Sequence, residues 1–300
     1  VREQSMFFGR EAILDQLVEA MDVGTQTNAI IIYGQRRMGK TSLLYQLQGR
    51  LDPARFAAVL MDAQGMQPPT TDRFYHLLLT CAASSATDLG VAYRVPDLAE
   101  FAAHPDEAFE RHFRALKEAT AAAGWGARRI VLMIDEFEYL QSLIRAGSVD
   151  AGVLAYVRHL VQHESALGFV FAVTHAIEDL AAQYWSDLYG LGVHFRIGFL
   201  SEAETRELLM RPTKEWFDFD NAALDRIHDL PSGQPFLTQA LASRIVSFRN
   251  RQGLTRITRD HIDQVVKDFL ARGPAEVRTY WEESPPLQRL CLVGVATLVR

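Results

Sequence analysis

The sequence is poor in cysteine, with two in 300 residues, Cys81 and Cys291. Two thiols so far apart make neither a disulfide framework nor a metal cluster. Both lie in apolar surroundings (LLLTCAA and QRLCLVG), so we expect buried, inert thiols of the reduced kind that suits a cytoplasm. Long apolar runs are missing too. None approaches the roughly 18 residues of a membrane span, and no signal-peptide pattern opens the chain. Positive charge is also short: 31 Lys and Arg face 37 Asp and Glu, a formal net charge of -6. A dedicated nucleic-acid binder carries a basic excess, so nucleic acid is left only a local basic patch and is not the favoured partner. There is no internal repeat and no low-complexity tract. What remains is a globular composition, 48% hydrophobic and 23% charged, long enough for a large core in about two domains. The chain starts at Val1 and stops inside an apolar helical pattern, LCLVGVATLVR, so we expect a fragment of a longer protein.

Periodicity organises the chain. Ile13, Leu14, Leu17 and Met21 predict a helix over about 10–21. NAIIIY (28–33), FAAVLMDA (56–63), RIVLMID (129–135), GFVFAVT (168–174) and VHFRIGFL (193–200) are short apolar runs that suit buried strands. Helical patterns fall between them, over 40–51, 71–85, 95–126 and 149–165. Strands alternating with helices predict an α/β fold with a five-stranded parallel sheet covered on both faces. After Leu200 only helical periodicity is evident, opened by a Ser201–Glu204 capping-box pattern. The expected domains are therefore 1–200, an α-helical domain over 201–272, and a further unit over 273–300. In that last unit Ser284, Pro285 and Pro286 start a helix.

One stretch carries specific chemistry. GQRRMGKT places Gly34, Gly39, Lys40 and Thr41 in the pattern G-x-x-x-x-G-K-[ST]. Glycines let the backbone approach phosphate oxygens, and successive N–H groups then bind the anion together with the positive end of the following helix. The cradle would run through Gly34, Gln35, Arg36, Arg37, Met38, Gly39, Lys40, Thr41 and Ser42. Lys40 would neutralise the β and γ oxygens, and Thr41 would offer a hydroxyl to Mg²⁺. Chance alone supplies such a match in roughly one chain of this length in a hundred. Here NAIIIY precedes it and TSLLYQLQ follows, the strand and helix the chemistry requires.

A second feature completes such a site. RIVLMIDEFEYL ends a strand on Asp135 and Glu136. The first carboxylate suits Mg²⁺, and the second can orient and polarise an attacking water. Glu138 reads as a surface acid. Thr174 ends the fourth strand, where ligands bind in open α/β sheets. It fits either a strand cap or a group that senses the γ-phosphate or the water. His175 reads as a loop histidine.

Taken in order, these motifs resemble the STAND class of P-loop ATPases within the AAA+ superfamily. FFGRE (7–11) resembles the family's hhGRE box, GQRRMGKTSLL its Walker A segment, and VLMIDEFEYL its Walker B strand with the D-E pair. FVFAVTH is similar to the sensor-1 strand, FRIGFLSEAETRELLMRP to the junction into the helical lid, and SGQPFLTQ to the G-x-P motif, carried by Gly233 and Pro235. The resemblance covers about 7–292. It implies an adenine pocket with Phe8, Gly9 and Arg10 on one side and Pro235 with Phe236 on the other. It implies that 273–300 begins a winged-helix domain. One departure is Val173, where the family customarily has Gly before the sensor residue. The family's trans-acting arginine has three candidates here, Arg145, Arg158 and Arg196.

The resemblance implies an ATPase with ATP or ADP and Mg²⁺ as cofactors, slow in turnover and used as a signalling or defence switch. ADP would hold lid and core closed; ATP would permit homo-oligomerisation. Effector and sensor domains, fused or separate, would complete it. The alternative is a DNA-binding ATPase or loader of the origin-recognition type. A scaffold without catalysis is disfavoured by the intact Lys40, Thr41, Asp135 and Glu136.

Overall fold

The five apolar segments form one parallel sheet. The computed structural model describes residues 6–22, 29–126, 128–174, 190, 192–271, 278, 280–282 and 284–298. The chain divides into two compact units, 1–198 and 199–300. In the first, β1 (Ala29–Tyr33), β2 (Phe56–Asp62), β3 (Arg129–Asp135), β4 (Leu167–Val173) and β5 (Gly192–Arg196) lie in the order β2-β3-β4-β1-β5. Every neighbouring pair is parallel. Successive side chains of a strand point to opposite faces, which is why β1 and β4, covered on both, are apolar throughout. β5, expected as a buried strand, lies at the sheet edge, is half-buried to exposed and carries His194 and Arg196. Ile31 joins the core cluster on one face, and Ile30 and Ile32 join the cluster on the other.

Helices cover both faces. α1 (Glu11–Asp22) and α2 (Lys40–Arg50) bury Leu14, Leu17, Leu43 and Leu47 against one face. The other face is covered by α3 (Thr71–Asp88), α4 (Pro105–Ala122), α5 (Glu138–Arg145) and α6 (Gly152–His163), through residues such as Phe74, Phe109, Leu140 and Val157. The expected helix over 95–126 is shorter. A 3₁₀ turn spans Leu98–Phe101 and α4 starts at Pro105, because proline fits a helix's first turn and not its interior. The expected fifth strand over 193–200 ends at Arg196. α5 was not expected, although Leu140, Leu143 and Ile144 carry its helical spacing.

The second unit comprises α7 (Glu202–Thr213), β6 (Asp218–Phe219), α8 (Asn221–Asp229), α9 (Pro235–Gln252), β7 (Arg256–Ile257), α10 (Arg259–Ala271) and α11 (Pro286–Leu298). Its core gathers Leu209, Leu224, Ile227, Ile245, Ile257 and Ile262. The Ser201–Glu204 capping box is formed. The all-helical reading of this stretch needs correction, since β6 and β7 pair in parallel. Strands of two residues are too short to show a period. Gly233 is required by position: its φ is +74°, and a Cβ there would stand 2.0 Å from the Leu200 carbonyl oxygen. In α11 the expectation of a buried thiol fails. Cys291 is exposed, as are Leu287, Leu290, Leu292, Val293 and Val295 on the same helix. Apolar neighbours in sequence there are not neighbours in a core. Among the described residues no helix is long and apolar enough to cross a membrane.

Candidate functional site

Sheet register brings the motifs together. Tyr33 pairs with Val173, and Ile134 with Phe171. The residues just beyond, Gly34, Thr174 and Asp135, therefore emerge side by side at the carboxyl end of the sheet. Gly34 donates its N–H to the Val173 carbonyl at 3.2 Å, and a Cβ on it would lie 2.6 Å from the Ile197 carbonyl oxygen. Only glycine fits that gap. Two loop residues hold left-handed backbone, Gly39 at φ +92° and Arg37 at φ +64°. Such turns aim successive N–H groups into one concavity, and α2 begins at Lys40 directly behind it. Gln35, Arg36 and Arg37 are exposed, Met38 is buried, and Ser42 is half-buried.

Lys40 is buried, and its Nζ donates to the carbonyl oxygens of Gly34 (2.8 Å) and Gln35 (3.2 Å). Burial pushes its pKa down, opposed by Glu136, Glu138 and Asp135. Thr41 Oγ1 donates to Asp135 Oδ2 at 2.5 Å, and the Glu136 N–H donates to Asp135 Oδ1 at 3.0 Å. Burial raises the pKa of Asp135, and it raises that of Glu136, where the charge of Glu138 adds to it.

Glu136 holds a left-handed φ of +50°, a backbone that non-glycine residues adopt at a cost and keep mainly at functional sites. The next turn starts α5 and brings in a residue that sequence reasoning missed. Glu138 is no surface acid. It is half-buried, its Oε1 accepts the Thr174 N–H at 3.0 Å, and its carboxyl adjoins that of Glu136. The signal was its place in the first helical turn, three residues after Asp135, where an acid is drawn to the strand ends by the helix N-terminus. Glu136 Oε2, Glu138 Oε2 and Thr174 Oγ1 are buried without a hydrogen-bond partner among the described residues. Buried polar atoms are normally satisfied, and three of the six described exceptions fall together at these strand ends. Three carboxyl groups against Lys40 and Arg36 leave an excess of negative charge. Hard oxygens from Thr41 and Asp135 beside that excess fit Mg²⁺ by donor chemistry.

The FFGRE segment reaches the same end of the sheet. Phe7, Met38 and Ile197 share one apolar cluster. Phe8 is buried, Gly9 has φ +71°, and Arg10 Nη2 donates to the Gly198 carbonyl at 2.6 Å. Pro235 and Phe236 belong to the second unit, where they open α9 behind the cap Gln234, whose Oε1 accepts the Leu237 N–H at 2.6 Å. Arg145 ends α5, Arg158 lies in α6, and Arg196 ends β5, so the three candidate arginines sit on separate elements. His175 lies outside the described residues.

A strand, a glycine loop with Lys and Thr, and an acidic neighbouring strand end define a P-loop nucleotide-binding domain. Residues 6–173 match the family model described as the AAA ATPase domain. The chain belongs to that family, and its first unit is an ATP-binding, ATPase-type AAA+ domain. No curated protein matches the chain. Solved structures do. The Aeropyrum pernix ORC2 protein in complexes with ADPNP and ADP matches with a TM-score of 0.59 at 14% identity, over 86% of this chain and 67% of that one. The Aeropyrum pernix ORC1 protein in complex with DNA matches with 0.56 at 16%, over 97% and 72%. The Thermotoga maritima RuvB Holliday junction branch migration motor matches with 0.50 at 14%, over 90% and 72%. At these identities the likeness is one of fold.

Proposed function

We propose that the chain is an ATP-binding, slowly hydrolysing switch of the STAND type, in which nucleotide state governs the helical unit and self-assembly. The observation that carries the reading is the linked set Lys40, Thr41, Asp135, Glu136 and Thr174 at the strand ends, with three buried polar atoms lacking partners. Lys40 leaves the loop carbonyls of Gly34 and Gln35 for the β and γ phosphate oxygens. The N–H groups of the loop from Gly34 to Ser42 hold the remaining phosphate oxygens. Thr41 and Asp135 are the residues that would hold Mg²⁺, which when bound supplies positive charge against the phosphates. Glu136 orients the attacking water and accepts its proton. Glu138 fixes the Thr174 amide, and the Thr174 hydroxyl faces the γ-phosphate. Phe8, Gly9 and Arg10 are assigned to the adenine, and Pro235 and Phe236, in the helical unit, are assigned to nucleotide as the residues of its G-x-P motif. α11 is assigned as the first helix of a winged-helix domain. Effector and sensor domains would act through these parts.

A second reading, a DNA-binding ATPase of the origin-recognition type, is favoured by the likeness to the ORC1 protein over 97% of this chain. Against it stands the acidic balance, net charge -6. Light scattering decides between them. The switch predicts assembly with a non-hydrolysable ATP analogue and none with ADP, regardless of DNA. Assembly only on duplex DNA, weakening steeply with salt, would replace the switch by the loader.

A further inference from the structure

Away from the phosphate loop, the first unit holds a second cavity of about 780 Å³, opening among the starts of α3, α4 and α6. None of the residues assigned above to nucleotide lines it. Its floor is aromatic. Tyr75 and Tyr156 meet edge to face with centroids 5.1 Å apart, and Phe109 backs both at 6.2 and 6.1 Å. Its charged rim is of one sign: Asp72, Asp106 and Asp150 line it, and no Lys or Arg does. The Asp150 loop is held in place, its N–H donating to Thr71 Oγ1 at 2.8 Å while its Oδ1 accepts the Gly152 N–H at 2.7 Å.

Tyr75 adds an independent observation. The residue is 3% exposed, and its hydroxyl has no hydrogen-bond partner among the described residues. The hydroxyl oxygen itself is not sealed off; it opens on the cavity that its ring lines. The hydroxyl pKa is pushed up, by burial first and then by the charges of Asp106, Asp150 and Glu110. Tyr75 therefore stays a neutral phenol in a negative potential. Its oxygen is a ready acceptor for an N–H that the protein does not supply. Tyr156 shows the contrast, since its hydroxyl reaches Glu110 Oε1 at 3.4 Å.

The sign of the ligand follows from the charges. The three helix starts return about half a positive charge each, which offsets roughly half of the three carboxylates. The cavity stays negative. The three carboxylates come from three separate helix starts. A larger cation can span the carboxylates and lie on the rings. A planar guanidinium does both, with several N–H groups for carboxylates and a face for tyrosine. We propose that the Tyr75–Asp106–Asp150 cavity binds an organic cation, a guanidinium group above all, carried by a free small molecule or by an arginine in a polypeptide.

Calorimetry on the whole chain saturated with ADP tests this. The probes are agmatine, the peptide acetyl-Gly-Arg-Gly-amide, and the same peptide with neutral citrulline for arginine. The cation site predicts saturable one-to-one binding of a guanidinium probe and none of the citrulline peptide. Asp106→Asn with Asp150→Asn weakens it by about tenfold or more, and Tyr75→Phe, which keeps the packing, by about three- to tenfold. Agmatine and peptide binding alike assigns a free cation; a peptide at least about tenfold tighter assigns a chain segment. The proposal is overturned if folded wild type binds neither guanidinium probe, if citrulline binds equally, or if the variants bind as tightly as wild type.

Discussion

Replacing Glu138 asks whether its carboxylate belongs to the site. Its Oε1 accepts the Thr174 N–H at 3.0 Å, and Thr174 is 8% exposed. Glu138→Ala strands that donor where little water reaches it, a cost of about 1–3 kcal/mol. In a unit of 198 residues each kcal/mol lowers the melting temperature by roughly 2–4 °C, which differential scanning calorimetry resolves. Glu138→Gln keeps an acceptor oxygen, so its stability stays within about 0.5 kcal/mol of wild type. Turnover separates the two roles again. Glu136 is held a weaker acid by burial and then by Glu138, so removing the Glu138 charge makes Glu136 a weaker base. Partial proton transfer in the transition state passes on part of that as a fall in kcat, with KM for ATP unchanged. If Glu138→Ala melts with wild type and both variants turn over at the wild-type rate, Glu138 is a surface acid after all and the reasoning is wrong.

Other outcomes follow from the same geometry. Gly233→Ala sets a Cβ 2.0 Å from the Leu200 carbonyl at a φ of +74°, so chemical denaturation should show a loss of about 2–4 kcal/mol. With iodoacetamide at pH 8, exposed Cys291 is labelled rapidly. Cys81, its pKa pushed up to about 11 by burial, lags by about tenfold or more, as peptide mass spectrometry would show. Asp135→Asn, which breaks the acceptor set that Thr41 meets at 2.5 Å, should lower kcat by about a hundredfold or more, with the residual rate indifferent to Mg²⁺. A variant still activated by Mg²⁺ would remove Asp135 from that role.

Much of the first unit was legible because its signals are local. Each strand is a short apolar run, and GQRRMGKT holds its whole phosphate cradle in consecutive residues. Asp135 and Glu136 were legible because a buried strand has to end before a charge. What was hidden depended on register and on the third dimension. Glu138 is assigned by its contact with Thr174, 36 residues away, and no spacing rule encodes that pair. The two-residue strands β6 and β7 carry no period to read. Cys291 shows the reverse case: its neighbourhood is apolar in sequence, yet α11 exposes the side chain. The cavity at Tyr75 collects residues from three helix starts, none of which is a motif alone.

The central claim is that the loop from Gly34 to Ser42 grips nucleotide through Lys40. Titrating ATP with Mg²⁺ into the folded wild-type chain and into Lys40→Ala measures it directly. Lys40 has to leave the carbonyls of Gly34 and Gln35 for the phosphates, so wild type should bind one ATP per chain at micromolar concentrations. Lys40→Ala should bind at least about a hundredfold more weakly, a loss of about 2.7 kcal/mol or more, while its fold is retained. Equal affinity in the two chains, or no binding of ATP or ADP by folded wild type, would contradict the account.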